Sequence, residues 1–464
     1  MTLLGYILLP VGLAGLFFSK KWLYRLFVFW TLFSATSVVN VGDPDSGSAL
    51  QVWMFFGFLW ILRLLLENAM TLSFSIDRRI LPPCLWLLAF LFVALFSLFM
   101  PIYIDGTLAI TSPFLGTDPD TPLYFTSHNA TQFLYLVFGV AIAICVAHSN
   151  MRDEVRHETE KIILLSALFI SVWGVLQFVC NLTGIPYPDF IFNNSGSSSG
   201  KGFLETLSGI GRLSSVTLEP SVFAQDLITL LPLTLPAWLK TGSVFSLSID
   251  RYCAVLFVAM LILSTSSTAY VGLVILALVL WPLLVRTSSI SVAKASKYAA
   301  LAVVATVSVG TAAALSIPIV RNVVQMALLN KFTSGSGLDR IFSIRVAFGY
   351  FQQFPILGIG WGSATSHDLI VKLLSNVGII GTFTFLGAMY CVMHANWRVL
   401  DSSAFPLNLS RSAWFLSLTV FVFTSIFSAF PLAFGNFWLV LGMAISTSWA
   451  EATAQAPLLT SRNG

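Results

Sequence analysis

Long apolar runs recur along this chain, at 2–18, 23–39, 48–67, 83–103, 131–148, 162–180, 221–239, 252–285, 298–319, 374–394, 412–430 and 434–449. No soluble fold hides so many segments of spanning length, so the chain reads as a polytopic membrane protein. The runs are continuous, about 15 to 22 residues long, and contain Gly and Pro without the alternation a lipid-facing strand needs, which argues against a β-barrel. The expected fold class is all-α and polytopic, with about 11–13 transmembrane helices in one membrane domain over 1–464. The run 252–285 would make a helix about 50 Å long against a hydrocarbon core of about 30 Å. It is expected to be two helices, broken at the polar stretch STSSTAY over 264–270, whose hydroxyls can take up freed backbone groups.

Basic loops alternate with the runs. Lys20, Lys21 and Arg25, then Arg78 and Arg79, then Arg152, Arg156 and Lys161 mark loops that the positive-inside bias assigns to the cytoplasm. The N-terminus, 40–47, 104–130, the Gly/Ser-rich loop 181–218 and a large loop over 321–372 then fall on the other side, and the tail 450–464 inside. The first two runs are short enough to form a re-entrant or interfacial pair. The first is followed at once by Lys20 and Lys21 without a small-residue cleavage site, so it is not expected to be a removable signal. The five cysteines, Cys84, Cys145, Cys180, Cys253 and Cys391, lie in or beside apolar runs without CxxC spacing, so buried thiols are expected, with no disulfide or metal site.

Only 9% of residues are charged, and several of them break the bias. This topology leaves Lys201 and Arg212 in one outward loop and Arg321, Lys331, Arg340 and Arg345 in another. A guanidinium close to a membrane usually has an anionic partner, and its five-donor fork suits phosphate oxygens. An outward cationic pocket beside lipid therefore suits a lipid-linked phosphate or pyrophosphate; pairing with Asp339, Glu219 or lipid headgroups is the alternative. Residues five apart on one helix point about 140° apart, so Arg340 and Arg345 need not touch the same phosphate.

Two further stretches carry polar chemistry. In GIGRLSSVTLEPSVFAQDL over 209–227, Pro220 fits the first turn of a helix and leaves Glu219 near its N-cap. There an ionised carboxylate is stabilised and can orient Arg212 or a sugar hydroxyl, accept a proton, or simply cap the helix. Asp226, one to two turns further on, must face protein or water. In GIGWGSATSHD over 358–368, the glycines allow a close-packed turn, Trp361 suits the membrane interface or a sugar face, and His367 suits a proton acceptor or phosphate ligand, with Asp368 beside it. The glycines lack the βαβ context of a dinucleotide site, and no His/Cys cluster suggests a metal.

RLSSVTLEPSVFA at 212–224, STSSTAYVGL at 264–273 and FGYFQQFPILGIGWGSATSHDLIVKLLSNVGIIG at 348–381 together resemble the O-antigen ligase and polymerase superfamily of bacterial membrane glycosyltransferases. The resemblance covers roughly 205–395. It implies a C-type glycosyltransferase-like, metal-independent enzyme of the inner membrane, multi-pass and without a cofactor. It implies a periplasmic active site and large periplasmic loop, and undecaprenyl-pyrophosphate-linked oligosaccharide as substrate. Arg212, Glu219 and His367 would be catalytic; Arg340, Arg345, Arg321, Trp361 and Asp368 would bind pyrophosphate or glycan. Membrane lipid and a chain-length regulator are implied partners; nucleic acid is not.

The chain departs from the family in places. Many members carry Ser-Arg-Gly in the central break, where this chain has no arginine, and Glu-Pro-Ser at 219–221 resembles capsule and exopolysaccharide polymerases more than ligases. Polymerisation of O-antigen, capsule or exopolysaccharide is the expected function. Ligation of a finished glycan to lipid A core or another acceptor is one alternative. Transport of lipid-linked sugars by a flippase is another, since it can also use buried arginines and broken helices.

Overall fold

The computed structural model describes all residues except 43–47, 72–76, 113–119, 197–202, 205, 208–209, 239, 288–334, 403–408, 428–430 and 451–464. The expected span 298–319, Lys201, Arg321, Lys331 and the tail from 451 onward lie outside the described residues.

Helices α1 (Leu3–Phe18) and α2 (Lys20–Trp30) form a hairpin about Ser19. Strands β1 (Ser37–Val41) and β2 (Ser48–Gln51) pair antiparallel, with Asn40 opposite Ala49. There follow α3 (Val52–Thr71), α4 (Leu81–Ser97), α5 (Met100–Ile104), α6 (Ser127–Ser149) and α7 (Asp153–Thr183). Next come α8 (Pro220–Leu230), α9 (Leu247–Leu263), α10 (Ser267–Thr287) and α11 (Gly335–Gln353), then α12 (Leu369–Ser402), α13 (Leu409–Ser425) and α14 (Gly435–Ala450).

Five stretches are long and apolar enough to cross a membrane: Val52–Met70, Arg78–Ile104, Ser127–Ser149, Asp153–Thr183 and Leu369–Arg398. Shorter apolar helices are Leu3–Phe18, Ser267–Trp281 and Ser412–Ser425. The described chain is thus an all-α polytopic membrane protein. All five cysteines are free; Cys84, Cys180 and Cys253 are buried.

The polar break behaves as its hydroxyls suggest. The run 252–285 divides into α9 and α10 at Ser264–Ser266, where Thr265 takes φ +51° and the Ser264 hydroxyl bonds the Leu261 carbonyl at 2.7 Å. Two expected spans differ. The run 23–39 is helical only to Trp30: the Thr31 hydroxyl takes the Val28 carbonyl at 2.7 Å, and the chain turns into the β-hairpin. The run 221–239 narrows to a 3₁₀ turn at Leu231–Thr234 and ends in a short helix at Leu235–Trp238, because Pro232 and Pro236 have no amide hydrogen to donate.

The bundle has two polar ends. At one, Lys20 meets Glu67 at 2.5 Å, Lys21 and Arg25 meet Glu158, Arg63 meets Glu67 at 3.0 Å, and Arg79 meets Asp77. These are residues of the basic loops and the helix ends beside them. At the other end, reached by running along α2 from Lys20 to Trp30, the contacts are made by hydroxyls, amides and main chain. The Ala35 amide donates to the Val216 carbonyl at 3.1 Å, the Leu218 amide to the Ser34 hydroxyl at 3.2 Å, and the Ser195 amide to the Ala35 carbonyl at 3.1 Å.

The glycine turn is a re-entrant element of this second end. After α11 the chain runs beside α12 and borrows hydrogen bonds that a kink in α12 releases. Gly378 adopts φ 64°, ψ −165° inside that helix. Around it the Ile379 amide donates to the Pro355 carbonyl at 2.8 Å, the Ile359 amide to Ser375 at 2.8 Å, and the Gly360 amide to Asn376 at 3.2 Å. The Asn376 side chain accepts from the Ala364 amide at 3.1 Å and donates to the Ala364 carbonyl at 3.0 Å. The Ser97 hydroxyl, at the end of α4, donates to the Leu357 carbonyl at 2.9 Å and also reaches the Asn376 carbonyl. Gly378 lies about 13 Å of helix rise beyond Leu369, so this irregular backbone sits at membrane depth, which is tolerated only because protein buries it and satisfies its polar groups. A Cβ on Gly378 would come 2.2 Å from the Ile356 carbonyl oxygen.

Candidate functional site

His367 is the centre of the candidate site. It lies in the short link between the re-entrant turn and α12, half-buried. Its Nδ1 is 3.0 Å from the Ser343 hydroxyl of α11. That hydroxyl donates its one hydrogen to the Arg340 carbonyl at 2.9 Å, so it accepts from His367 Nδ1–H. Nε2 is then the basic nitrogen. Burial, and then the nearby Arg340, hold the imidazole below its ordinary value of 6.5, with Lys372 acting in the same direction and Glu219 and Asp339 opposing. A ring held this way is neutral at pH 7 and able to accept a proton.

The charged groups around it come from distant parts of the sequence. Glu219 is the N-cap of α8 with Pro220 in the first turn, but its carboxylate makes no capping bond. It is exposed, and its Oε2 accepts from the Ser221 hydroxyl at 3.0 Å. Arg340, on the first turns of α11, donates to the Phe427 carbonyl at 3.1 Å and so joins α11 to the link between α13 and α14. Glu219 and Arg340 are both within electrostatic reach of His367.

The backbone leading to Glu219 is held rigidly. Ser215 takes φ +51°, a left-handed conformation unfavourable for a side chain other than glycine. Four partners fix it: its amide donates to Gln177 Oε1 at 2.7 Å, its hydroxyl to the Ile170 carbonyl at 2.6 Å, and its carbonyl accepts from Tyr187 and from Asn193, each at 3.0 Å. Burial pushes the Tyr187 phenol upward, so it stays a donor in this network. Arg212 begins the same segment, half-buried, its carbonyl accepting from Gln177 Nε2 at 3.3 Å. It lies at this end near Tyr270 of α10.

The remaining expected residues divide. Asp368 caps α12, accepting from the Val371 amide at 2.7 Å; burial pushes its carboxyl above the usual carboxylate range, and the backbone amides of Val371 and Ile370 offset this only in part. Trp361 is 4% exposed and meets Phe90 of α4 edge-on at 5.9 Å, so its ring packs in the core and presents no face to a membrane interface or to a sugar. Arg345 is exposed, on the opposite side of α11 from the buried Ser343, and is not among the charged groups that act on His367. Asp226 is buried as required, accepting from Asn436 Nδ2 at 2.9 Å.

Lys372 stands out in the sequence as one of the few charges between Leu338 and Gly381, but no role was expected of it. It is half-buried in the first turn of α12, within electrostatic reach of both His367 and His128. The signal for it was available: a lysine opening an apolar run in a chain with few charges. Among the described residues no group of three or more His, Cys, Asp or Glu side chains is placed to hold a metal ion. No family model and no curated protein matches the chain.

Proposed function

We propose that this protein is a glycosyltransferase that polymerises undecaprenyl-pyrophosphate-linked oligosaccharide units at the periplasmic face of a bacterial inner membrane. The observation that carries the reading is one neutral, oriented imidazole with Arg340 and Lys372 on one hand and Glu219 on the other. In the reaction a hydroxyl of the acceptor sugar attacks the anomeric carbon of the donor. The bond from that carbon to the pyrophosphate oxygen breaks, and the pyrophosphate leaves with the electron pair. The hydroxyl proton passes to His367 Nε2. Arg340, Lys372 and Arg212 meet the charge that develops on the departing pyrophosphate, where preorganised donors lower the barrier most. Glu219 orients the acceptor hydroxyl and stabilises the imidazolium that forms.

The test is to supply lipid-linked repeat units to the purified protein in proteoliposomes, on the outward-facing side only, and to size the products. A ladder of lengthened chains supports polymerisation. Transfer of an intact chain to a different acceptor makes the protein a ligase, and unaltered substrate recovered from the lumen makes it a transporter.

A further inference from the structure

The two arginines of α11 face opposite ways. Arg340 shares its side with the buried Ser343, Ala347 and Tyr350. On the other side Leu338, Ile341, Arg345 and Phe348 are all exposed, the apolar three at 43%, 48% and 42%, and their spacing of three and four residues aligns them in one stripe. The residues one turn from Arg345 are Ile341, Phe342, Phe348 and Gly349, so no carboxylate of its own helix can pair with it. The acid of α11, Asp339, is within reach of His367 instead.

What covers this stripe is indicated by what it adjoins. At its lower end α11 leads to Ile356, 62% exposed, beside Ile379, Ile380 and Phe383 of α12, exposed at 58%, 42% and 64%. On a helix long and apolar enough to cross a membrane, such residues face acyl chains. The stripe is therefore continuous with a lipid-facing surface. Arg345 stands about 12 Å of helix rise above the end of α11 at Gln353, toward the candidate site, where headgroups succeed tails. A second copy seated by two-fold symmetry on this stripe would set Arg345 against its own counterpart, an unfavourable like-charge contact.

We propose that the outer face of α11 is embedded in the lipid leaflet at the site end of the bundle, with Leu338, Ile341 and Phe348 against acyl chains and Arg345 on the phosphate of an anionic phospholipid. The surface holds α11 at a fixed depth and so sets the height of Arg340 and Ser343 beside His367.

Two measurements test this in nanodiscs of phosphatidylcholine doped with phosphatidylglycerol. In the first, a benzophenone amino acid replaces Phe348 and is irradiated. The expected product is a protein–phospholipid adduct; a cross-link to a second copy of the chain, or no adduct, overturns the proposal. In the second, the phosphatidylglycerol retained by the protein is counted by native mass spectrometry. Arg345→Gln is expected to lower its enrichment about fivefold and Arg345→Lys to keep most of it. Equal enrichment in wild type and Arg345→Gln overturns the headgroup assignment. The photoprobe leaves Arg345 in place, so it reads the surface even where the arginine variant does not fold. Neither readout needs a glycan substrate, so both stand apart from the outcome for glycosyl transfer.

Discussion

At one end of the bundle, cations and carboxylates are matched, Lys20 with Glu67 and Lys21 and Arg25 with Glu158 across helices, and Arg63 with Glu67 within α3. At the other, the strained turn at Ser215, the kink at Gly378 and the break at Thr265 are held by hydroxyls, amides and main chain, and charges converge on a histidine. The first arrangement adds little stability, since partly exposed pairs contribute about 0–1 kcal/mol each. The second invests backbone strain and buried polar groups in a fixed geometry, as functional sites do. The difference supports the proposal that function lies at the second end, and does so without appeal to a motif.

The comparison can be broken in order of expected effect. His367→Gln should reduce chain elongation by about 100-fold or more while the protein stays folded, the range for loss of a general base. In wild type the acid limb of the pH–rate profile should fall below 6.5, because burial and Arg340 hold the imidazole below that value. The limb should vanish in the variant; one unchanged by it would remove His367 from proton transfer. Protonation also favours the unfolded chain here, since its histidine takes up the proton first, so stability should decline as pH falls through the same range.

Gly378→Ala should cost about 3 kcal/mol or more, measured by thermal or denaturant unfolding in detergent, since the new Cβ meets the Ile356 carbonyl and φ is +64°. Wild-type stability there would mean that the re-entrant turn is not seated on α12. Glu158→Gln should cost no more than about 1 kcal/mol, shrinking in high salt, and should leave elongation intact. A loss of elongation would place function at the ionic end and reverse the assignment.

Much of this architecture was legible in the sequence because it is encoded locally. Apolar run lengths mark the spans, Pro220 fixes the start of α8 and places Glu219 at its cap, and STSST marks the break between α9 and α10. The early stop of α2 and the narrowing after Leu230 were missed because hydropathy registers apolarity, not the carbonyl captured by Thr31 or the donors lost at Pro232 and Pro236. The glycine turn was visible, but its seat on α12 was not: that depends on Asn376 and Ser97, residues remote in sequence. The same pairing buries Trp361, which read as a sugar platform, and brings α12 and Lys372 up to His367. Which arginine of α11 faces the site follows from the helical angle, but only the packed face shows that it is Arg340.

The most direct test of the central assignment is the elongation of defined lipid-linked repeats by the purified Arg212→Ala, Arg340→Ala double variant, beside wild type at equal folded protein. Cationic stabilisation of the leaving pyrophosphate predicts that elongation falls by about 100-fold or more, as on losing preorganised charge at a reacting centre. Elongation at the wild-type rate would contradict it and remove both arginines from the reaction.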